Sequence, residues 1–179
     1  MRNTIKGLFV GLAAMIAMAF GANTASAITI SPGGAITATS LGAVDFASDI
    51  LTLSCDITLT GSLATSGSAG SRIGAITSGS MGNCGDGWTV TLLFGSEWPL
   101  RLVSTAGSPI TSALLNIERI GIGLNFLGSP WCLYGGTAGA RYTEGGLIAL
   151  LANSLTGDCG TASFSAGTQF GLSPAQDFA

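Results

Sequence analysis

Ten consecutive residues, 51–60, read Leu-Thr-Leu-Ser-Cys-Asp-Ile-Thr-Leu-Thr. Leu51, Leu53, Cys55, Ile57 and Leu59 fall on one side of a period-2 alternation, and Thr52, Ser54, Asp56, Thr58 and Thr60 on the other. Successive side chains of a strand point to opposite faces, so this stretch is a strand with one dry face and one wet face. A helix cannot use that pattern. A cysteine sits in the middle of the dry face, and the remainder of the chain supplies further strands of this kind.

Trp88, Val90, Leu92 and Phe94 alternate with Thr89 and Thr91, which predicts another half-buried strand. Residues 28–31, 35–40, 43–46, 72–77, 99–104, 131–134, 140–143 and 146–152 have strand character between Gly- and Pro-rich breaks, with 135–139 read as a turn. Residues 161–166 and 168–172 read as a closing hairpin, and 173–179 as a mobile tail. Between 112 and 127 the alternation changes phase. Leu115 and Ile117 share one parity, Ile120, Ile122, Leu124 and Phe126 the other, and the change falls across Glu118-Arg119. One extra residue flips the facing of all that follows, so either a β-bulge or a strand break is expected there; a helix over 112–120 is the competing reading. Many short strands without a strand–helix–strand rhythm predict an all-β fold, an antiparallel β-sandwich or barrel.

Residues 1–27 have the parts of a secretory signal peptide: Arg2 and Lys6, an uncharged apolar run over 8–20, and the small-x-small site Ala25-Ser26-Ala27. The run is shorter than the ~20 residues of a membrane span. The expected organisation is a leader (1–27) and a single all-β domain (28–179), long enough to bury about 70 % of its unfolded surface. No membrane span is expected after cleavage.

Cys55, Cys84, Cys132 and Cys159 are even in number, follow a leader and lie far apart, which predicts two disulfides and an oxidising location, secreted, cell-surface or periplasmic. Three pairings are possible. Cys55–Cys84 with Cys132–Cys159 is preferred, because strands near in sequence are most often neighbours. The cysteines have no C-x-x-C spacing and the chain has no histidine, so neither a metal nor another cofactor is expected.

The absences also bound the chemistry. Without histidine there is no Ser-His-Asp or Cys-His site, and residues 28–179 have no lysine for Schiff-base or Ser-Lys chemistry. Paired carboxylates leave one enzymatic route, glycoside hydrolysis through Asp45 with Asp49 or Glu97 with Glu118; solvated surface acids are the plainer reading. Asp86, in a glycine-rich turn, lacks the alternating oxygens of a calcium loop. Four arginines against nine acids give residues 28–179 a net charge of −5 (four minus nine), which disfavours nucleic acid and anionic membranes as partners. Charged residues are only 8 % of the chain and mean hydropathy is +0.58, which suits an extracellular β-protein or one that packs into an assembly and excludes a disordered chain.

Trp98, Trp131 and Tyr134 are the candidate ligand-binding residues, able to line an apolar or sugar-binding groove. Trp98, between Glu97 and Pro99, is expected at the surface. Trp88 and Trp131 are expected in the core against the disulfides.

The succession Ile-Thr-Ile-Ser-Pro (28–32), Ala-Ile-Thr-Ala-Thr (35–39), Leu-Ser-Cys-Asp-Ile-Thr-Leu-Thr-Gly (53–61), Ile-Thr-Ser-Gly (76–79), Cys84 and a Trp-bearing strand resembles a group of small secreted bacterial β-proteins, some described as activators of alkane oxidation. The resemblance spans about residues 28–88. It implies an exported, non-enzymatic protein acting at cell surfaces or hydrocarbon interfaces, and carries no catalytic residues over. Two non-enzymatic functions follow as expectations: an envelope structural protein that self-associates, with the strand at 28–31 completing a neighbour's sheet, and a binder of hydrocarbon, lipid or another apolar ligand.

Overall fold

The computed structural model describes residues 27–85 and 87–179. The expected leader, apart from Ala27, and Asp86 lie outside the described residues. The strands in chain order are β1 (Ile28–Ser31), β2 (Gly34–Ser40), β3 (Val44–Ser48), β4 (Thr52–Leu63), β5 (Ser66–Gly67), β6 (Arg72–Gly82), β7 (Trp88–Leu92) and β8 (Trp98–Ala106). They continue with β9 (Ser112–Phe126), β10 (Ser129–Thr143), β11 (Leu147–Leu150), β12 (Ser154–Gly157), β13 (Gly160–Phe164), β14 (Gln169–Ser173) and β15 (Asp177–Phe178). Every pairing among them is antiparallel.

The ladders close on themselves. β2 and β3 lie end to end along one edge of β4, and β6 takes the other edge. β8 follows β6, and β7 and β8 lie end to end along β9. β9 pairs with β10, whose far edge carries β11 and β12 end to end. β13 and β14 pair with those two and then with β3 and β2, which completes the circuit. The result is a barrel of eight staves in up-and-down order: β2/β3, β4, β6, β7/β8, β9, β10, β11/β12 and β13/β14. Of the sandwich and the barrel, the closed ring makes it the barrel.

An eight-stranded ring is just wide enough for its own side chains to fill. The inward set includes Phe46, Leu53, Ile57, Leu102, Ile122 and Leu155, all buried. Asp45, Thr52, Ser54, Thr89 and Thr91 face outward and are exposed. An apolar inside and polar outside is the reverse of a membrane-spanning barrel, whose lipid-facing band is apolar. No helix among the described residues is long and apolar enough to cross a membrane. Both disulfides form as preferred, Cys55–Cys84 and Cys132–Cys159. They are compatible with an extracellular or periplasmic location.

The two rims differ. At one, where β4 ends at Leu63 and β10 at Thr143, a small sheet of β15, β1 and β5 forms a cap. Thr29 exchanges backbone hydrogen bonds with Ala179 (2.7 and 2.9 Å), and the Ile30 amide donates to the Thr65 carbonyl at 2.9 Å, so both edges of β1 are occupied within its own chain. The tail is therefore fixed rather than mobile. Gln176 is fully buried, and its Oε1 accepts from the Gly33 amide at 2.9 Å. The Tyr142 hydroxyl donates to the Gln176 carbonyl, and the Phe178 ring lies 4.1 Å from that of Tyr142. The other rim, where β7 begins and β9 ends, has no such cap among the described residues.

Two further expectations are corrected. Residues 135–139 run straight through β10, not a turn: they are glycine-rich because neighbouring staves come close, and a Cβ on Gly136 would lie 3.0 Å from Leu155 Cδ2. Residues 161–172 are not a hairpin. β13 and β14 are halves of one stave, broken at 165–168 and paired with different partners at the two rims.

The phase shift at Glu118-Arg119 is a bulge. Ile117 pairs with Ala138 and Ile120 with Gly136, so two residues oppose one. Arg119 takes φ 57°, a left-handed conformation that costs a non-glycine residue about 1 kcal/mol. Arg119→Gly is expected to keep or raise stability by up to about 1 kcal/mol, and Arg119→Val to lower it by about as much or more. Urea unfolding of both variants checks this.

Candidate apolar ligand site

The uncapped rim gathers the exposed apolar side chains of three strand ends. Trp88 opens β7 and pairs in register with Phe126, the last residue of β9; their rings are 4.8 Å apart. Trp131 stands edge-on to Trp88 at 6.1 Å. Leu127 is 76 % exposed, Trp131 58 % and Leu133 54 %. Leu93 and Leu133 flank Gly123 on the outer wall, within 3.9 Å of where its Cβ would be. Monomeric proteins seldom leave such a contiguous apolar patch uncovered without a use for it.

The patch is held stiffly. Trp131 sits at a register shift between Pro130 and Cys132, on the outward parity of Leu133. Behind it Cys132 is bonded to Cys159. Asp158 accepts from the Leu133 amide at 2.7 Å, and its own amide donates to the Leu133 carbonyl at 3.3 Å. Cys132, Asp158 and Cys159 also form the one grouping of potential metal ligands among the described residues, but the two sulfurs are bonded to each other.

The sequence candidates separate. Trp98 is not exposed: it is 3 % accessible, stacked on Phe94 at 4.5 Å, with its Nε1 donating to the Leu93 carbonyl at 3.0 Å. Tyr134 is also 3 % accessible, inside the barrel edge-on to Phe46, and its hydroxyl has no partner among the described residues. Trp131, expected in the core, is the one that reaches the surface, and Trp88 is half-buried at the mouth. Parity carried the signal. Trp98, Leu100 and Leu102 alternate together and all turn inward, whereas Trp131 and Leu133 alternate against the inward Cys132 and Tyr134. Phe126, Leu127, Leu133 and Leu93 were not foreseen as site residues.

The acids of the two candidate pairs are engaged with other partners, Asp45 with the Ser54 hydroxyl among them. Glu97 is ion-paired with Arg72 at 2.5 Å and Glu118 with Arg101 at 2.8 Å. The hydrogen bond from Arg101 holds the Glu118 carboxyl below its usual range. Asp49 is lowered by the Thr161 amide and hydroxyl, at 2.8 and 3.0 Å. A general acid needs the opposite shift.

The rim is acidic as well as apolar. Asp49, Asp56 and Asp158 stand around it, while Arg72, Arg101, Arg119 and Arg141 lie on the β6–β8–β9–β10 wall away from the strand ends that carry the patch. Such a rim suits a neutral apolar surface and repels anionic headgroups.

No curated protein and no solved structure matches this chain. A family model described as alkane oxidation protein activator PraA/PraB-like matches residues 1–170, well beyond the 28–88 of the resemblance seen in the sequence. The chain thus belongs to the PraA/PraB-like family of alkane oxidation protein activators.

Proposed function

We propose that this protein is an exported, non-enzymatic binder of neutral hydrocarbon, which it engages through the apolar rim of Trp88, Phe126, Leu127 and Trp131. The observation that carries the reading is the patch itself: large apolar side chains, exposed together on disulfide-braced strand ends, ringed by aspartates and not by arginines. The family name, an activator of alkane oxidation, points to the same ligand class. A protein that holds alkane at the cell surface or in the periplasm would raise its supply to an oxidising enzyme without catalysis of its own. A leader over residues 1–27 would bring it there.

Self-association by donation of β1 is less favoured, because that strand is already clasped on both edges in its own chain. The test is fluorescence quenching by 1-bromododecane. Trp88 and Trp131 should be quenched and the buried Trp98 spared, and Trp131→Phe should remove a large part of the response. Equal quenching of all three tryptophans, or none, would count against the reading.

A further inference from the structure

Below the apolar rim, glycines interrupt the outer wall of β9 and β10. Gly123 pairs with Leu133 and Gly121 with Gly135, and all four alternate against the buried Ile122, Leu124 and Tyr134, so they face outward. Packing within the fold explains Gly121. A Cβ there would lie 3.1 Å from both the Cβ and the carbonyl oxygen of Leu93. Leu93 is fixed in that place, its amide donating to the Gly121 carbonyl at 2.8 Å and its carbonyl accepting from Trp98 Nε1 at 3.0 Å. Gly123 and Gly135 have no such reason. Neither takes a positive φ, and the register shifts between the two strands fall elsewhere, at Pro130/Cys132 and Gly136/Ala138. A Cβ on Gly123 would have as its nearest neighbours the ends of two side chains, Leu133 Cδ2 at 3.6 Å and Leu93 Cδ2 at 3.8 Å. One on Gly135 would have a single neighbour within 4 Å among the described residues, the Ile120 carbonyl oxygen at 3.4 Å. Both are ordinary contacts. Glycine inside a strand weakens it, and where neither φ nor packing requires one it marks a place where something approaches the backbone closely.

The flanks are apolar and continuous with the rim. Leu133 is 54 % exposed and Leu93 37 %, and Trp131 stands above Leu133 on the same outward parity. Asn125, between Gly123 and the rim on β9, donates its side-chain amide to Thr91 on β7 at 3.0 Å and is thereby turned from β10. A shallow furrow therefore starts beside Trp131 and runs down the wall to Gly135. Its length is four residue steps of roughly 3.3 Å, about 13 Å. An extended alkyl chain advances about 1.25 Å per carbon, so about ten carbons lie along it.

We infer that this furrow takes a single unbranched alkyl chain, and that Gly123 and Gly135 set the specificity by keeping its floor at the level of the backbone. The inference rests on the hydrocarbon reading of the rim and extends it. One end of the chain meets Trp131, and the remainder lies over Gly123 and Gly135 with the exposed ends of Leu93 and Leu133 closing on its flanks. Each further carbon laid in the furrow removes apolar area from water. A short chain reaches the rim alone, and a cage-shaped hydrocarbon touches the rim but is too thick to lie in the furrow.

The test uses the purified, oxidised protein and three quenchers of tryptophan fluorescence, 1-bromododecane, 1-bromohexane and 1-bromoadamantane. The variants are Gly123→Val and Gly135→Val, with Gly135→Ala as the milder change. Valine suits a strand and neither position needs glycine for its backbone, so the melting temperatures should stay at or above that of the wild type. Both valine variants should nevertheless lose about fivefold or more in affinity for 1-bromododecane and less than about twofold for the hexyl and adamantyl probes. In NMR spectra of the wild type, 1-bromododecane should shift the amides of Gly121, Gly123 and Gly135, and 1-bromohexane should leave them in place. Dodecyl binding unchanged in both valine variants overturns the furrow and leaves the rim standing. An equal loss for all three probes also overturns it, because the substitutions would then act on the rim. Absence of quenching of the wild type by any probe overturns the hydrocarbon reading itself, and this inference with it.

Discussion

Deletion of residues 174–179 is expected to leave the protein without fixed packing at physiological temperature. These few residues remove Phe178 from Tyr142, Gln176 from its buried bond to Gly33, and Ala179 from Thr29. Loss of a buried Phe ring costs about 3–5 kcal/mol, and each buried polar group left without its partner a further ~1–3 kcal/mol. A domain of this size has only about 5–15 kcal/mol to lose. Phe178→Ala alone should cost about 3–5 kcal/mol and remain folded enough to measure by urea titration. A truncated protein with the wild-type melting temperature would show that the cap is not part of the cooperative unit.

The cap also has a pH signature. Burial, and after it the charge of Asp177, raises the Tyr142 phenol above its ordinary value. With the folded value above the unfolded one of about 10, the unfolded chain releases its proton first as pH rises. Stability is therefore full below about pH 10 and declines above it. Tyr142→Phe should abolish that part of the alkaline slope.

Removal of the Cys132–Cys159 bridge is the second large effect. The two cysteines are 27 residues apart, and closing a loop of that length contributes on the order of 3 kcal/mol. The paired variant Cys132→Ser/Cys159→Ser should lose about that much in urea unfolding. It should also weaken hydrocarbon binding, because the bridge and Asp158 fix the strand end that presents Trp131 and Leu133. The variant Cys55→Ser/Cys84→Ser should lose a similar stability and leave the aromatic rim in place, since that bridge joins β4 to the second residue beyond β6. Equal loss of binding in both variants would mean that the rim depends on global stability and not on its local brace.

Much of the fold was legible because one physical rule, alternation, governs most of it. The inward Leu53, Cys55, Ile57 and Leu59 stand where period-2 facing puts them, and the bulge at Glu118-Arg119 follows from two alternations that cannot share one phase. What was not legible is long-range. Nothing local in Thr39 or Gly171 announces that they pair across more than a hundred residues to close the ring. The glycines of β10 resembled a turn because the close approach they permit, to Leu155, belongs to a different stave. The tail looked polar and mobile because Gln176 and Phe178 are buried only against β1 and Tyr142. The site misled in another way. Glu97 and Pro99 suggested an exposed Trp98, whereas parity with Leu100 and Leu102 places it inside. Trp131 shares its parity with Leu133 and alternates against Cys132 and Tyr134, so placing the disulfide cysteine inside already places Trp131 outside.

The central claim is that the uncapped rim meets neutral hydrocarbon, and adsorption to dodecane droplets tests it most directly. Wild-type protein should adsorb strongly, and Leu127→Ser combined with Trp131→Ser should reduce adsorption at least tenfold with no fall in melting temperature, since both side chains are more exposed than buried. Phosphatidylglycerol vesicles should bind the wild type weakly, given the aspartates around the rim. Adsorption unchanged by the double substitution, or absent from the wild type, would contradict the account.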